Sequence, residues 1–298
     1  MKQPKPSRIQ CAASQFVAAT TSRSPRTGAN YQVAISQFLA AGKNRADSVA
    51  ATAFLKALQA RDLASGSRAT YISGARAFLK HLEAEGLIPQ CPLHLLKRPR
   101  ITRSMVNYLS ETDAKKLIQC AQDSPTALTA VTLLLGLGLR VSEAVASQWR
   151  HLYQEEGRTG LLIPCGKGGK SRVAVVPPTI LEVLQSCRRL QALPDQLDTA
   201  DPSYLLSHGP NGSAYTRQHI FKIVAALATK AGIRHSGPHT LRHSFATLAA
   251  RAGVQPYDLQ ESLGHQKLET TMFYVHLVRG LQNPASASVA PLFMQNTP

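Results

Sequence analysis

Strand-forming signal is confined to one place in this chain. The stretch "TGLLIPCGKGGKSRVAVVP", residues 159–177, reads as strand, glycine turn, strand, with Lys167 and Lys170 at the hairpin tip. Nearly everything around it is apolar at helical spacing. The expected fold class is therefore mainly α, with a small β-hairpin or sheet.

The helical segments fall into two groups. "RIQCAASQFVAAT" is amphipathic. "RTGANYQVAISQFLAAG" carries a stripe of Tyr31, Ile35, Phe38 and Leu39 and stops at Gly42. "DSVAATAFLKALQARDL" opens on an Asp47/Ser48 cap, with a stripe of Val49, Ala53, Leu55 and Leu58. "SGSRATYISGARAFLKHLEAEGL" carries Tyr71, Ile72, Ala75, Phe78, Leu79 and Leu82 and closes at Gly86. These predict a small four-helix domain over residues 1–96. Pro89, Pro92 and Pro99 break the pattern, and residues 97–106 form a basic linker. A second domain, residues 107–298, opens at "YLSETDAKKLI", where Ser110 and Asp113 form a capping arrangement. "PTALTAVTLLLGLG" is apolar nearly all round and predicts a central buried helix. Helices resume after the hairpin at "PTILEVLQSCRRLQ", "RQHIFKIVAALATKAG", "HTLRHSFATLAARAG", "PYDLQESLG" and "LETTMFYVHLV". The tail "NPASASVAPLFMQNTP" is small and Pro-containing, and reads as loosely ordered apart from "VAPLF".

Charge says what the partner is. The 298 residues hold 34 Lys and Arg against 17 Asp and Glu, a formal +17, with no acid before Asp47. An excess this large, spread over both parts of the chain, points to a polyanion, and nucleic acid is the usual one. Lys97, Arg98, Arg100 and Arg103 in the linker are expected to contact a DNA backbone. Lys170 and Arg172 in the hairpin are expected to do the same. No apolar run is long enough to span a membrane, and no signal peptide is visible. The five cysteines are scattered and form no C-x-x-C pair, which reads as reduced thiols in a cytosolic protein. The expected location is cytoplasmic and nucleoid-associated.

Several tempting motifs fail. "GKGGKS" resembles a phosphate-binding loop, but Pro164 stands where the first glycine is required. "GLG" at Gly136 to Gly138 has no completing glycine, and the histidines lack metal-ligand spacing. No metal or other cofactor is expected.

What remains is a coherent set of polar residues. Arg140 follows a glycine turn at a helix start, with Glu143 at i+3, where the two side chains meet. Alone, that pair reads equally well as a surface ion pair. Lys167 sits on a tight glycine turn, where the ordinary reading is a solvated lysine. His239 and Arg242 are also i, i+3, so both are expected to point one way, while Leu241, Phe245, Leu248 and Ala252 bury the other. The cations His239, Arg242 and His243 crowd a helix N-terminus, the end that attracts anions. His265 follows the Gly264 helix stop, and Tyr274 comes nine residues after it. One unbroken helix would put those two on opposite sides, but the break at Gly264 lets both face one site. Alone, Tyr274 reads as an ordinary core tyrosine. Together the set suits phosphodiester transfer without a metal. Guanidinium forks bind phosphate oxygens, a tyrosine hydroxyl is a nucleophile, a lysine an acid and a histidine a base.

"GLGLRVSE", "GKGGKSR", "HTLRHSFAT" and "LGHQKLETTMFYVH" resemble, in order and spacing, the four signature blocks of the tyrosine recombinase (phage-integrase) family. The helical first domain resembles that family's SAM-like core-binding domain, and the two-domain layout resembles the Xer type. The resemblance implies a clamp on double-stranded DNA carrying a specific site. It also implies a covalent 3′-phosphotyrosyl intermediate and strand exchange through a Holliday junction, without metal or ATP. By motif, Arg140 and Arg242 hold the scissile phosphate and Lys167 protonates the departing 5′ oxygen. His239 and His265 assist proton transfer, Tyr274 attacks, and Glu143 supports the site from behind. Implied partners are a tetramer on two sites and a second recombinase or motor protein. The segment after Tyr274 departs from the pattern, running into "QNPASASVAP" where Xer-type chains continue as a docking helix. A type IB topoisomerase and a catalytically silent DNA-binding protein are the rival readings.

Overall fold

The computed structural model describes residues 7–99, 106–164, 171–190, 201–208, 212–234 and 236–282. The chain divides into two compact units, Met1–Ser104 and Met105–Pro298.

The first unit holds helices α1 (Arg8–Arg23), α2 (Pro25–Ala41), α3 (Ser48–Gln59) and α4 (Ser65–Ala84). Its core is aromatic and aliphatic: Phe38, Phe54, Phe78, Leu79 and Leu82 are all fully buried. Phe38 and Phe54 meet edge-on, with ring centroids 5.4 Å apart, the arrangement aromatic quadrupoles favour. The Asp47 carboxylate caps α3 by accepting the Ala50 N–H at 2.9 Å. The α3 stripe is rotated from expectation. Ala50, Ala51, Phe54 and Leu58 face the core, and Val49 is exposed. The aromatic payload of Phe54 sets the rotation, which a count of aliphatic positions does not capture.

The second unit begins with α5 (Glu111–Ala121), capped by the Ser110 hydroxyl on the Asp113 N–H, followed by α6 (Pro125–Val131). The expected central helix is buried but not uniform, because residues Thr132–Gly136 widen into a π turn in which Leu137 N–H reaches back to the Thr132 carbonyl. Such turns insert a residue into the helical register and recur at functional sites. Here the π turn hands the chain to Gly138, at φ +62°, and then to Arg140 at the cap of α7 (Val141–Ala146).

The sheet has three antiparallel strands in the order β1 (Leu152–Glu155), β2 (Arg158–Ile163), β3 (Arg172–Val176). Strand β1, "LYQE", is additional to the expected pair. Only Tyr153 among its residues is a strong strand former, and the hairpin is set by its turn. Glu155 pairs with Arg158 across Glu156 and Gly157, whose φ angles are +47° and +73°. Positive φ at both central positions matches the right-handed twist of the paired strands. In β2 and β3 side chains alternate, with Leu161, Ile163, Ala174 and Val176 inside and Leu162, Val173 and Val175 outside.

Helices α8 (Pro178–Leu190), α9 (Arg217–Lys230), α10 (Pro238–Arg251), α11 (Pro256–Leu263) and α12 (Leu268–Gln282) complete the unit. A small separate core of Ala246, Leu259, Leu263 and Tyr274 joins α10, α11 and α12. In α10, Leu241 is buried as expected but Ala252, just past the helix, is exposed. Among the described residues no helix is long and apolar enough to cross a membrane.

Candidate active site

The site is organised by the end of one short helix. The carbonyls of a helix's last turn have no partner within the helix and carry the negative end of its dipole. At the end of α11 three successive carbonyls each accept from a different arginine. Arg172 Nε donates to Ser262 at 3.1 Å, Arg242 Nη2 to Leu263 at 2.5 Å, and Arg140 Nη2 to Gly264 at 3.1 Å. Gly264 ends α11 in the left-handed conformation, φ +61° and ψ 46°, which turns the chain toward His265 and α12.

Glu143 ties the same arginines from the other side. Its carboxylate accepts the Arg140 backbone N–H at 2.8 Å and Arg140 Nη1 at 2.8 Å. Both ends of the Arg172 fork reach it, at 2.9 and 2.8 Å, and Arg242 Nη1 lies 3.7 Å away. Burial alone would raise the pKa of this acid. Hydrogen bonds from Arg172 and from the Arg140 backbone overcome that and hold it down at about 2. Arg242 is buried, with its other fork nitrogen on the Gly138 carbonyl at 2.6 Å. Burial first, then the nearby Arg140 charge, lowers it to about 10, so it stays a cation at neutral pH.

Tyr274 is 4% exposed, and its hydroxyl lies 2.6 Å from His243 Nδ1. The His265 ring stacks near it, with centroids 6.4 Å apart and planes 16° apart, and its Nδ1 is 2.9 Å from the Thr271 hydroxyl. Burial depresses both histidines to about 4, helped by His239 and Arg242 at His243 and by Arg242 and Arg140 at His265. Both are therefore neutral near pH 7. Burial raises the Tyr274 hydroxyl, and the Arg242 charge opposes it.

The fold thus gathers Arg140, Glu143, Arg242, His265 and Tyr274. His239 behaves differently from Arg242. It is exposed on the first turn of α10, with its ring 6.4 Å from that of Phe221, while Arg242 runs inward. Arg172, expected to face DNA from the hairpin, has a side chain 9% exposed and holds Glu143, because strand alternation puts it on the inner face with Ala174 and Val176. Sequence reasoning places His243 only in the cation cluster at this helix start, and its contact with the Tyr274 hydroxyl is an addition. Lys167, Lys170, Arg100 and Arg103 lie outside the described residues. In the first unit, Lys97 and Arg98 line a groove of about 610 Å³ with Tyr31, Ser73, Arg76 and Lys80. Arg76 is engaged there, donating to the Leu93 and Leu96 carbonyls.

Two arginine forks, neutral histidines and a buried tyrosine have the chemistry that holding a transferring phosphoryl group requires. The model of the phage integrase family matches residues 107–279, and the chain belongs to that family, the tyrosine recombinases. Its activity is site-specific DNA recombination. Among its relatives, a tyrosine recombinase of Thermosipho africanus is 31% identical over 75% of this chain and 78% of its own. The tyrosine recombinase XerD of Listeria innocua is 31% identical over 72% of each chain. The crystal structure of the XerH recombinase bound to its palindromic difH substrate, a post-cleavage complex, shares the fold. Its TM-score is 0.72 at 21% identity, over 92% of this chain and 83% of that one.

Proposed function

We propose that recombination by this chain proceeds through attack of the Tyr274 hydroxyl on a phosphodiester held between Arg140 and Arg242. The carrying observation is the α11 C-terminus. Its Leu263 and Gly264 carbonyls anchor both arginines at the turn that leads into the helix bearing Tyr274. The guanidinium charges stabilise the phosphorane-like transition state, and Glu143 keeps them at fixed separation. Lys167 is assigned the acid that protonates the departing 5′ oxygen. His239 and His265 are assigned to phosphate binding and proton transfer. The product is a 3′-phosphotyrosyl enzyme, and a second strand's 5′ hydroxyl reverses the step to form a Holliday junction. No divalent ion takes part, because the arginines and Lys167 supply the positive charge.

The partner is double-stranded DNA with a specific site, with a tetramer assembling on two sites. Relatives support this reading: a lambda integrase tetramer has been solved on a Holliday junction. A second recombinase or motor protein belongs to the same reading, as does a cytoplasmic, nucleoid-associated location. Lys97 and Arg98, with the linker's Arg100 and Arg103 and the hairpin's Lys170, are assigned to the DNA backbone.

A nicked duplex carrying the binding sequence tests the mechanism. The sequence would be selected from a random library by the full chain. Covalent adduct should form in EDTA and vanish in Tyr274→Phe, with binding retained. An adduct in that variant, or cleavage only with added Mg²⁺, refutes the mechanism. A plasmid lacking the site should stay supercoiled, and its relaxation would indicate a topoisomerase.

A further inference from the structure

We propose that His243 is a catalytic residue: its Nδ1 receives the proton of the Tyr274 hydroxyl as that oxygen attacks phosphorus. The proposal rests on the reading of Tyr274 as nucleophile. Geometry singles out this histidine. Among the described residues the rings of His243 and His265 lie against Tyr274, and the Tyr274 hydroxyl bonds to His243, at 2.6 Å. His265 stacks on the tyrosine ring but commits its Nδ1 to Thr271. His239, exposed beside Phe221, is on the previous turn of α10.

The contact is fixed from both sides. His243 stands on the second turn of α10, and its carbonyl accepts the Thr247 hydroxyl at 2.9 Å. Tyr274 is locked in the small core with Ala246, Leu259 and Leu263. A half-buried hydrogen bond between packed elements holds its geometry without further ordering cost. The charged and titratable groups around His243 are His239 and Arg242 on its own helix, with Tyr274 and His265 across from it. Together with burial they keep its ring neutral, so Nδ1 has a lone pair when Nε2 carries the hydrogen.

The step balances. The Oη–H bond of Tyr274 breaks, and the proton passes to His243 Nδ1. The oxygen's electron pair forms the Oη–P bond, and the P–O5′ bond breaks. The departing oxygen takes its proton from the acid, assigned to Lys167. On rejoining, imidazolium returns its proton to the tyrosine oxygen. An incoming phosphate anion favours that imidazolium, so the histidine becomes a better base once DNA is bound.

The test separates activation of the nucleophile from help to the leaving group. The selected duplex is made with its ordinary 5′ oxygen and with a 5′-bridging sulfur, which departs without an acid. Adduct formation is followed in single turnover for wild type, His243→Gln and His243→Ala. Loss of a general base typically lowers the rate by about 10²–10⁴. That deficit should be equal on both substrates, whereas a Lys167→Ala deficit should appear only with oxygen. With wild type and the sulfur substrate, the rate should fall as pH is lowered through about 4, where His243 is protonated. The acid limb should be missing from His243→Gln. This wild-type measurement stands even if both variants fail to fold. Full rescue by sulfur, no deficit in a folded variant, or a wild-type rate flat through that pH would each overturn the proposal. Wild-type adduct that survives in Tyr274→Phe would instead refute the underlying choice of nucleophile.

Discussion

Arg172 gives both ends of its guanidinium fork to Glu143, at 2.9 and 2.8 Å, and its Nε to the Ser262 carbonyl. One side chain therefore joins the base of the hairpin, the cap of α7 and the end of α11. Lysine cannot reproduce this, because an ammonium has no planar fork. Arg172→Lys should keep the fold and slow adduct formation, while Arg172→Ala should destabilise the unit by about 3–5 kcal/mol. Denaturant melts beside single-turnover cleavage measure both effects. If Arg172→Lys cleaved normally while Arg172→Ala flattened the salt dependence of DNA binding, the residue would be a backbone contact after all.

The carboxylate at the centre of this network gives a pH signature. Glu143 has a pKa of about 2 in the folded protein, against an ordinary 4.5. A depressed acid contributes stability that is fully present above its unfolded value and lost as pH falls through the folded one. The window is therefore about pH 4.5 down to about pH 2, and the amount is of the order of 3 kcal/mol. Glu143→Gln should be less stable at pH 7, with the difference from wild type shrinking as the solution is acidified through that window. Urea melts at stepped pH would show it. A difference independent of pH would mean that Glu143 acts by packing alone.

Lys97 and Arg98 are exposed on the groove of the first unit. Removing a cation that neutralises one phosphate should flatten the log–log dependence of DNA affinity on salt by roughly 0.9. Lys97→Ala with Arg98→Ala should thus weaken binding to all sequences alike and leave single-turnover cleavage at saturating protein unchanged. Isotherms across a salt series test this. An unchanged slope would remove both residues from the interface.

Much of this is legible in the sequence, and the misses have two causes. Helices α1 to α4 and their stops follow from apolar spacing and Gly42 and Gly86, because periodicity and breakers are local properties. Arg140 meeting Glu143 is also local, at i, i+3. The placement of Arg172 is legible in principle: in "RVAVV" it has the parity of Ala174 and Val176, so it has to share their buried face. Reading it as a surface cation weighs residue type above strand period. The pairing of His243 with Tyr274 spans 31 residues and depends on how α10 and α12 pack. No local pattern carries that. The same holds for the three carbonyls of α11, which are backbone atoms and leave no trace in residue identity.

Gly138 and Gly157 offer a matched pair for a last prediction. Both have positive φ, +62° and +73°. A side chain at either position meets the strain of the left-handed region, about 1–2 kcal/mol. Their surroundings differ. A Cβ on Gly157 would meet nothing within 4 Å, whereas one on Gly138 would fall 2.3 Å from Phe245 Cδ1. Phe245 belongs to α10, three residues from Arg242, and the Gly138 carbonyl itself holds Arg242. Gly157→Ala should therefore cost about 1–2 kcal/mol in melts and leave cleavage intact. Gly138→Ala should cost about 1–3 kcal/mol more, the usual range for overpacking, and should also lose adduct formation as Arg242 is displaced. Subtracting one variant from the other removes the backbone strain and leaves the clash. Equal losses of stability with normal cleavage in both would show that the Gly138 turn does not position Arg242.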